Sequence, residues 1–157
     1  MAGGAAVGPL FQAIVIGGLV AGSVDIFAAA IINHVGPGVI LQAIASGLLG
    51  KASFQGGETT MAVGLLLQWG MSLIIAAIYG LAAARIPALP RRPVRFGALY
   101  GVGVFLVMTF VVVPLSAAHF KARPSITSLL ENLGAMILFG LIVALTPWLM
   151  AKRRVSA

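Results

Sequence analysis

The chain has 157 residues, 61% of them hydrophobic and only 8% charged, with a formal net charge of +7. Soluble domains run to roughly a quarter charged residues, so this composition excludes an ordinary water-soluble fold and points to an integral membrane protein. It has ten basic residues against three acids. The bases sit in short clusters between long apolar runs, as membrane anchors do, so nucleic acid is not expected as a partner.

The length fits one membrane domain over 1–157, with no second module. Cysteine is absent, which excludes disulfides, thiol nucleophiles and thiolate metal sites. The opening stretch, MAGGAAVGPLFQ, has no Lys or Arg, and the apolar run behind it is too long for a cleaved signal peptide. The first helix is therefore expected to be retained.

About 20 helical residues cross the hydrocarbon core, and four runs reach that length: about 10–33, 59–84, 96–118 and 129–150. The expected fold is all-α, a polytopic bundle of four transmembrane helices. Pro9 is placed in a first helical turn, where proline is tolerated.

After the first run comes PGVILQAIASGLLGKASFQGG, residues 37–57, whose apolar part covers only about 14 residues. That length suits an interfacial or re-entrant segment, about 37–54, better than a span. Ile40, Leu41, Ile44 and Leu48 share one face of it, and Gln42, Ser46 and Gly50 the other.

Between the second and third runs lies RIPALPRRPVR, a stiff loop with three prolines and four arginines. With four spans, one side collects Arg85, Arg91, Arg92, Arg95, Lys152, Arg153 and Arg154. The other holds Lys51, Lys121 and Arg123. Seven against three makes the first side cytoplasmic, with both termini there. A fifth span at Pro37–Gly50 would send the N-terminus out.

The first run carries a carboxylate, Asp25. A charged Asp at a helix centre costs about 2.5–3.5 kcal/mol on insertion scales, which its apolar neighbours outweigh. At helical spacing its face reads Gly18, Ala21, Gly22, Asp25, Ala28, Ala29 and Ile32, opposite Ile16, Val20, Val24, Phe27 and Ile31. Small residues let a second backbone come close, so Asp25 is expected to face protein. Gly97 and Gly101 supply a similar packing pair on the third helix, so GALYGVGVF is helix packing and not a phosphate loop.

At about 1.5 Å per residue, Asp25 lies roughly 12 Å from one end of its span, and Gln68 and Thr109 roughly 13 Å from the same end of theirs. A buried polar layer of Asp25, Gln68 and Thr109 is expected, with Ser72 one turn deeper and Gln68 as the hydrogen-bond partner of Asp25. The layer is either a packing device or a proton site. A relay needs several titratable groups and this core has one, which favours packing.

His34, Glu58, His119 and Glu131 form a polar cluster at the outer helix ends. With Asp25 they are of the right types for a divalent metal, and the two histidines for haem, but the spacing matches no metal motif. No metal and no cofactor are assigned. No Ser falls in a nucleophile-elbow pattern, so no catalytic residue and no enzymatic activity are expected. Pro114 is expected to kink or end the third helix. Tyr79, Tyr100 and Trp148 read as belt aromatics at the inner interface, and Trp69 as buried.

The stretches AIASGLLGKASFQGG, QWGMSLIIAAIYGLAAARIP and VVVPLSAAHF resemble small bacterial inner-membrane proteins of the YagU type, a similarity running from about Gly17 to Leu149. The resemblance implies a bacterial inner-membrane location and no particular activity. A weaker analogy is to small multidrug transporters, four-helix dimers with one acid in the first helix. This chain departs from them in having Asp rather than Glu, a longer first loop, few aromatics near the acid and a stronger charge bias.

The expected function is a non-enzymatic accessory or assembly subunit, packing against a larger membrane complex or against itself as a homo-oligomer. The alternatives are a proton-coupled transporter working as a homodimer through Asp25, and an outward-facing metal or haem site.

Overall fold

A computed structural model describes residues 4–118 and 125–155, with side chains from Gly8 to Ala118 and from Ser125 to Met150. The chain is all-α among the described residues. Helix α1 covers Gly4–Ile32, α2 Pro37–Leu49, α3 Gly57–Arg85, α4 Ala88–Arg91, α5 Pro93–Val107, α6 Val113–Leu115 and α7 Ile126–Val155. A 3₁₀ turn, Gly50–Gln55, follows α2, and a π-helical stretch, Met108–Val112, joins α5 to α6. Four helices are long and apolar enough to cross a membrane: Gly8–Ile32, Gly57–Arg85, Pro93–Leu115 and Ile126–Met150.

The spans alternate in direction. Gly80 of α3 faces Ile14 of α1 while Gly18 faces Leu73, so these two run antiparallel. Gly17 meets Thr146, and Gly97 and Gly101 meet Ala144 and Ile137, which sets α7 antiparallel to both α1 and α5. One end of the bundle therefore holds Arg85, Arg91, Arg92 and Arg95, all exposed, together with the last turn of α7 that carries Lys152, Arg153 and Arg154. This is called the arginine end below. Lys51 is exposed at the opposite end, and Lys121 and Arg123 lie outside the described residues.

Glycine makes the crossings. A methyl group on Gly101 would come 2.6 Å from Ile137 Cα and strike the Met136 carbonyl, and one on Gly97 would come 2.8 Å from Ala144 Cβ. Contact this close maximises dispersion between backbones, the attraction available where lipid offers no hydrophobic driving force. Around them pack Ala21, Ala76, Tyr79, Phe139, Val143 and Ala144. The α3–α5 edge is different: the two helices splay apart and leave a groove between them.

Helix starts fall earlier than the hydropathy suggests. Pro93 opens α5 as an N-terminal proline. At α7, Ser125 Oγ accepts from the Ser128 N–H at 3.1 Å and caps the helix ahead of Leu129. Helix α1 begins at Gly4, so Pro9 lies in its second turn and not the first. At its far end His34 takes the left-handed conformation (φ 54°), with Val35 N–H bonded to Ala30 O at 3.1 Å, the six-to-one bond of a Schellman cap.

The second segment, α2, has 13 residues and is too short to cross. It lies across the first turns of α3, with Gly38 against Met61 and the Leu41 carbonyl against Gly64. Its polar face turns inward: Gln42 and Ser46 are buried while Leu48 is 65% exposed. Ser53 donates to Gln42 O at 2.9 Å and Thr60 to Ser53 O at 2.7 Å, a buried knot that holds the 3₁₀ turn against α3. A helix with lipid around it keeps its polar groups on protein.

Pro114 has no N–H to give, and just before it the helix loosens: Val113 N–H reaches back five residues to Met108 O. The helix ends at Leu115, and Ala117 N–H then bonds to Gly47 O of α2 at 2.9 Å.

Candidate intramembrane polar site

Asp25 sits in the middle of α1 on the stripe of small residues. Gly18, Ala21 and Gly22 are buried, Asp25 and Ala28 half-buried, and Ile16, Val20, Phe27 and Ile31 exposed on the opposite side. The stripe packs on α3. Gly18 lies against Ser72 O and Leu73, and Gly22 against the Ser72 hydroxymethyl group, leaving no room for a side chain larger than hydrogen at Gly22.

This close approach brings Gln68 to Asp25. Gln68 Nε2 donates to Asp25 Oδ2 at 2.8 Å and to the Gly22 carbonyl at 3.4 Å, and only 8% of Gln68 is exposed. At the next residue, Trp69 Nε1 donates to Ser23 Oγ at 3.2 Å. Two consecutive residues of α3 thus bind two positions of α1 through side-chain donors. A carboxylate within the membrane must be compensated by hydrogen bonding, and here the amide of the neighbouring helix supplies it.

The third member of the expected layer is elsewhere. Thr109 lies in the π-helical stretch, half-buried, and among the described residues no hydrogen bond links it to Asp25 or Gln68. Depth alone placed it in the layer. But its helix packs on α7 and stands apart from α3, so equal depth does not become contact. Ser72, at 2% exposure, lies one turn beyond Gln68 at the Gly22 crossing.

Tyr79 and Tyr100 do not form a belt. Tyr79 is 3% exposed, and its ring centroid lies 5.1 Å from that of Tyr100. Tyr100 Oη donates to Ile75 O at 2.7 Å, bridging α5 to α3, whereas the buried Tyr79 hydroxyl has no partner among the described residues. Only Trp148, 40% exposed, keeps a belt-like position.

Among its described members, the outer polar cluster forms no metal-ligating group. His34, Glu58 and Glu131 are each exposed on a different element, and no group of three metal-ligating side chains forms among the described residues. His119 lies outside the described residues. Glu58 sits in the first turn of α3, where the helix dipole favours an anion.

Sequence reasoning missed the Ser23–Trp69 bond, the Gln42–Ser53–Thr60 knot and the inward tyrosines. The first carried a usable signal, since Ser23 and Trp69 flank Gly22 and Gln68 in the same register. Comparison of the chain with protein-family models, with curated proteins and with solved structures found no match.

Proposed function

We propose that this integral membrane protein is a non-enzymatic accessory or assembly subunit that packs within a larger membrane complex or against its own copies. The observation that carries this reading is the closure of the polar site upon itself. The acid at the middle of a span is held by a side-chain amide of α3 at 2.8 Å, in a crossing with no room for substrate at Gly22. An acid so held fixes which helices meet and in what register. The YagU-type resemblance supports a bacterial inner-membrane location, and the excess of basic residues at the arginine end supports cytoplasmic termini.

A second reading, a proton-coupled carrier acting as a homodimer through Asp25, is favoured by one fact. Gln68 also lines a cavity of about 260 Å³ between α2, α3 and the π-helical stretch with the residues after it, so the Asp25 pair stands one side chain from open space.

The two readings separate in one experiment. Asp25→Asn keeps an oxygen for the Gln68 amide to bond. An accessory subunit should retain its copurifying assembly in mild detergent when so altered, and show no proton flux in proteoliposomes. A homodimer with pH-dependent flux that Asp25→Asn abolishes would overturn the first reading and establish the second.

A further inference from the structure

The splayed edge between α3 and α5 is a groove with two distinct ends. Its apolar body, about 410 Å³, is lined by residues such as Met71, Ile75, Ile78, Val104 and Met108. Ile78 and Tyr100 also line a second cavity, of about 270 Å³, which runs up to Tyr79, Leu89 and Phe96. Phe96 in turn borders a surface hollow walled by Arg91 and Arg92, and Arg95 lies beside Arg92 in the next. The groove therefore opens at the arginine end into a cluster of exposed guanidinium groups.

We propose that this groove binds an anionic phospholipid, its phosphate over Arg91, Arg92 and Arg95 and one acyl chain along the α3–α5 seam. This goes beyond the packing role of Asp25 and does not depend on it.

Three observations support the occupant. The first is length. From Ala82 at the mouth to Met71, the groove follows eleven residues of α3, or about 16 Å at 1.5 Å per residue. One leaflet of a bilayer has a hydrocarbon depth of about 15 Å, so the seam matches one lipid chain.

The second is charge. The chain's acids are Asp25, bonded to Gln68 in α1, Glu58 in the first turn of α3 and Glu131 in the second turn of α7, none of them at the arginine end. The arginines form no ion pair with an acid among the described residues. Basic pockets between spans are suited to anionic headgroups, and guanidinium matches phosphate in two-pronged hydrogen bonds.

The third is an orphan. Tyr79 lines the cavity between the arginines and the apolar seam, and its buried hydroxyl has no hydrogen-bond partner among the described residues. Buried hydroxyl groups are nearly always bonded. A phospholipid carries ester and phosphate oxygens between headgroup and chain, the level at which this donor stands.

The test is native mass spectrometry of the full chain, released from mild detergent with phosphatidylglycerol or phosphatidylcholine. One phosphatidylglycerol should be retained, about tenfold or more tighter than phosphatidylcholine, the discrimination expected of two or three arginines near a lipid surface. Arg91→Gln with Arg92→Gln should erase that preference, and Tyr79→Phe should weaken retention of both lipids. Gly103 lines the groove with nothing within 4 Å of an added Cβ, so Gly103→Leu can leave the backbone unstrained and project its side chain into the seam. It should expel both lipids while leaving helicity unchanged, which keeps the test decisive if the arginine variants fail to fold.

Equal retention of the two lipids by the unaltered chain would overturn the proposal. So would displacement of the lipid by millimolar inorganic phosphate, which would mark a phosphate site without a chain site. A Gly103→Leu protein that changes its oligomeric state but keeps its lipid would assign the groove to a second copy instead.

Discussion

Alanine at Asp25, at Gln68 and at both together forms a double-mutant cycle across the α1–α3 contact. The two side chains are 43 residues apart in sequence and meet through a single direct bond of 2.8 Å. Hydrogen bonds between membrane helices average about 0.6 kcal/mol in such cycles and reach about 1.7. This one lies near the upper value because its geometry is short and its acceptor is a carboxyl group, so the expected coupling is about 1–1.7 kcal/mol. Gln68→Ala should cost more than Asp25→Ala, because it also removes the 3.4 Å bond to the Gly22 carbonyl and opens a space at a position only 8% exposed. Reversible unfolding in mixed micelles, read by circular dichroism against the mole fraction of denaturing detergent, measures all four corners. Independent sites add to within about 0.3–0.5 kcal/mol. Coupling below that level would show that the pair does not hold the helices together, and the packing role of Asp25 would fall with it.

The glycines make a sharper contrast. Gly101→Ala must push α5 off α7, because its methyl group meets the Met136 carbonyl, and it should cost about 1–3 kcal/mol as overpacked positions do, while Gly103→Ala, two residues on with nothing within 4 Å, should gain about 0.5–1 kcal/mol from reduced chain entropy. The same unfolding assay ranks them, and equal effects would contradict the crossing. Trp69→Phe keeps an aromatic ring, though a smaller one, and loses the bond to Ser23 Oγ, for an expected loss of at least about 0.5–1 kcal/mol; an unchanged midpoint would count against that bond. His34→Gly removes a side chain from a left-handed cap residue and should stabilise by up to about 1 kcal/mol, and a destabilised protein would mean that the imidazole has a role of its own.

Composition and hydropathy carry the fold class because a bilayer demands it: apolar runs of about 20 residues have no other stable form there. The four spans of the structure overlap those four runs, with starts up to three residues earlier where Pro93 and Ser125 begin the helices. On α1 the orientation is legible for a steric reason. Gly18, Ala21 and Gly22 recur at helical spacing, and their side lets the backbone of α3 come close. Gln68 could be matched to Asp25 by depth because α1 and α3 are in direct contact. Thr109 could not, because depth is a property of one helix whereas contact depends on which helices are neighbours. No count of residues reveals that α5 pairs with α7 and swings away from α3. The tyrosines differ from expectation for a related reason: a tyrosine near a helix end suits the interface and the bundle interior equally, and the choice rests on which neighbours surround it, here Ala21, Ala76, Phe139, Val143 and Ala144 in one cluster with Tyr79.

The distribution of side chains across the fold explains why its polar residues cluster as they do. Large apolar residues such as Phe27, Leu66, Ile74, Leu99 and Phe110 are each at least 60% exposed, whereas Gln42, Ser46, Ser53, Thr60, Gln68 and Ser72 are at most 8% exposed. That pattern would unfold a protein in water. In lipid it is stable, since apolar surface gains nothing by leaving hydrocarbon and each polar group loses several kcal/mol unless bonded. Cohesion then comes from backbones brought close by Gly18, Gly22, Gly97 and Gly101, and from side-chain bonds that only such closeness permits. The Asp25–Gln68 bond is possible because Gly22 lets Ser72 and its helix come near. It follows that Gly22→Val should abolish the Asp25–Gln68 coupling by distance alone, with both partners still present. Measuring the cycle again in that background separates a bond that positions the helices from one that merely accompanies their contact. Coupling that survives the valine would mean the polar pair holds the register by itself.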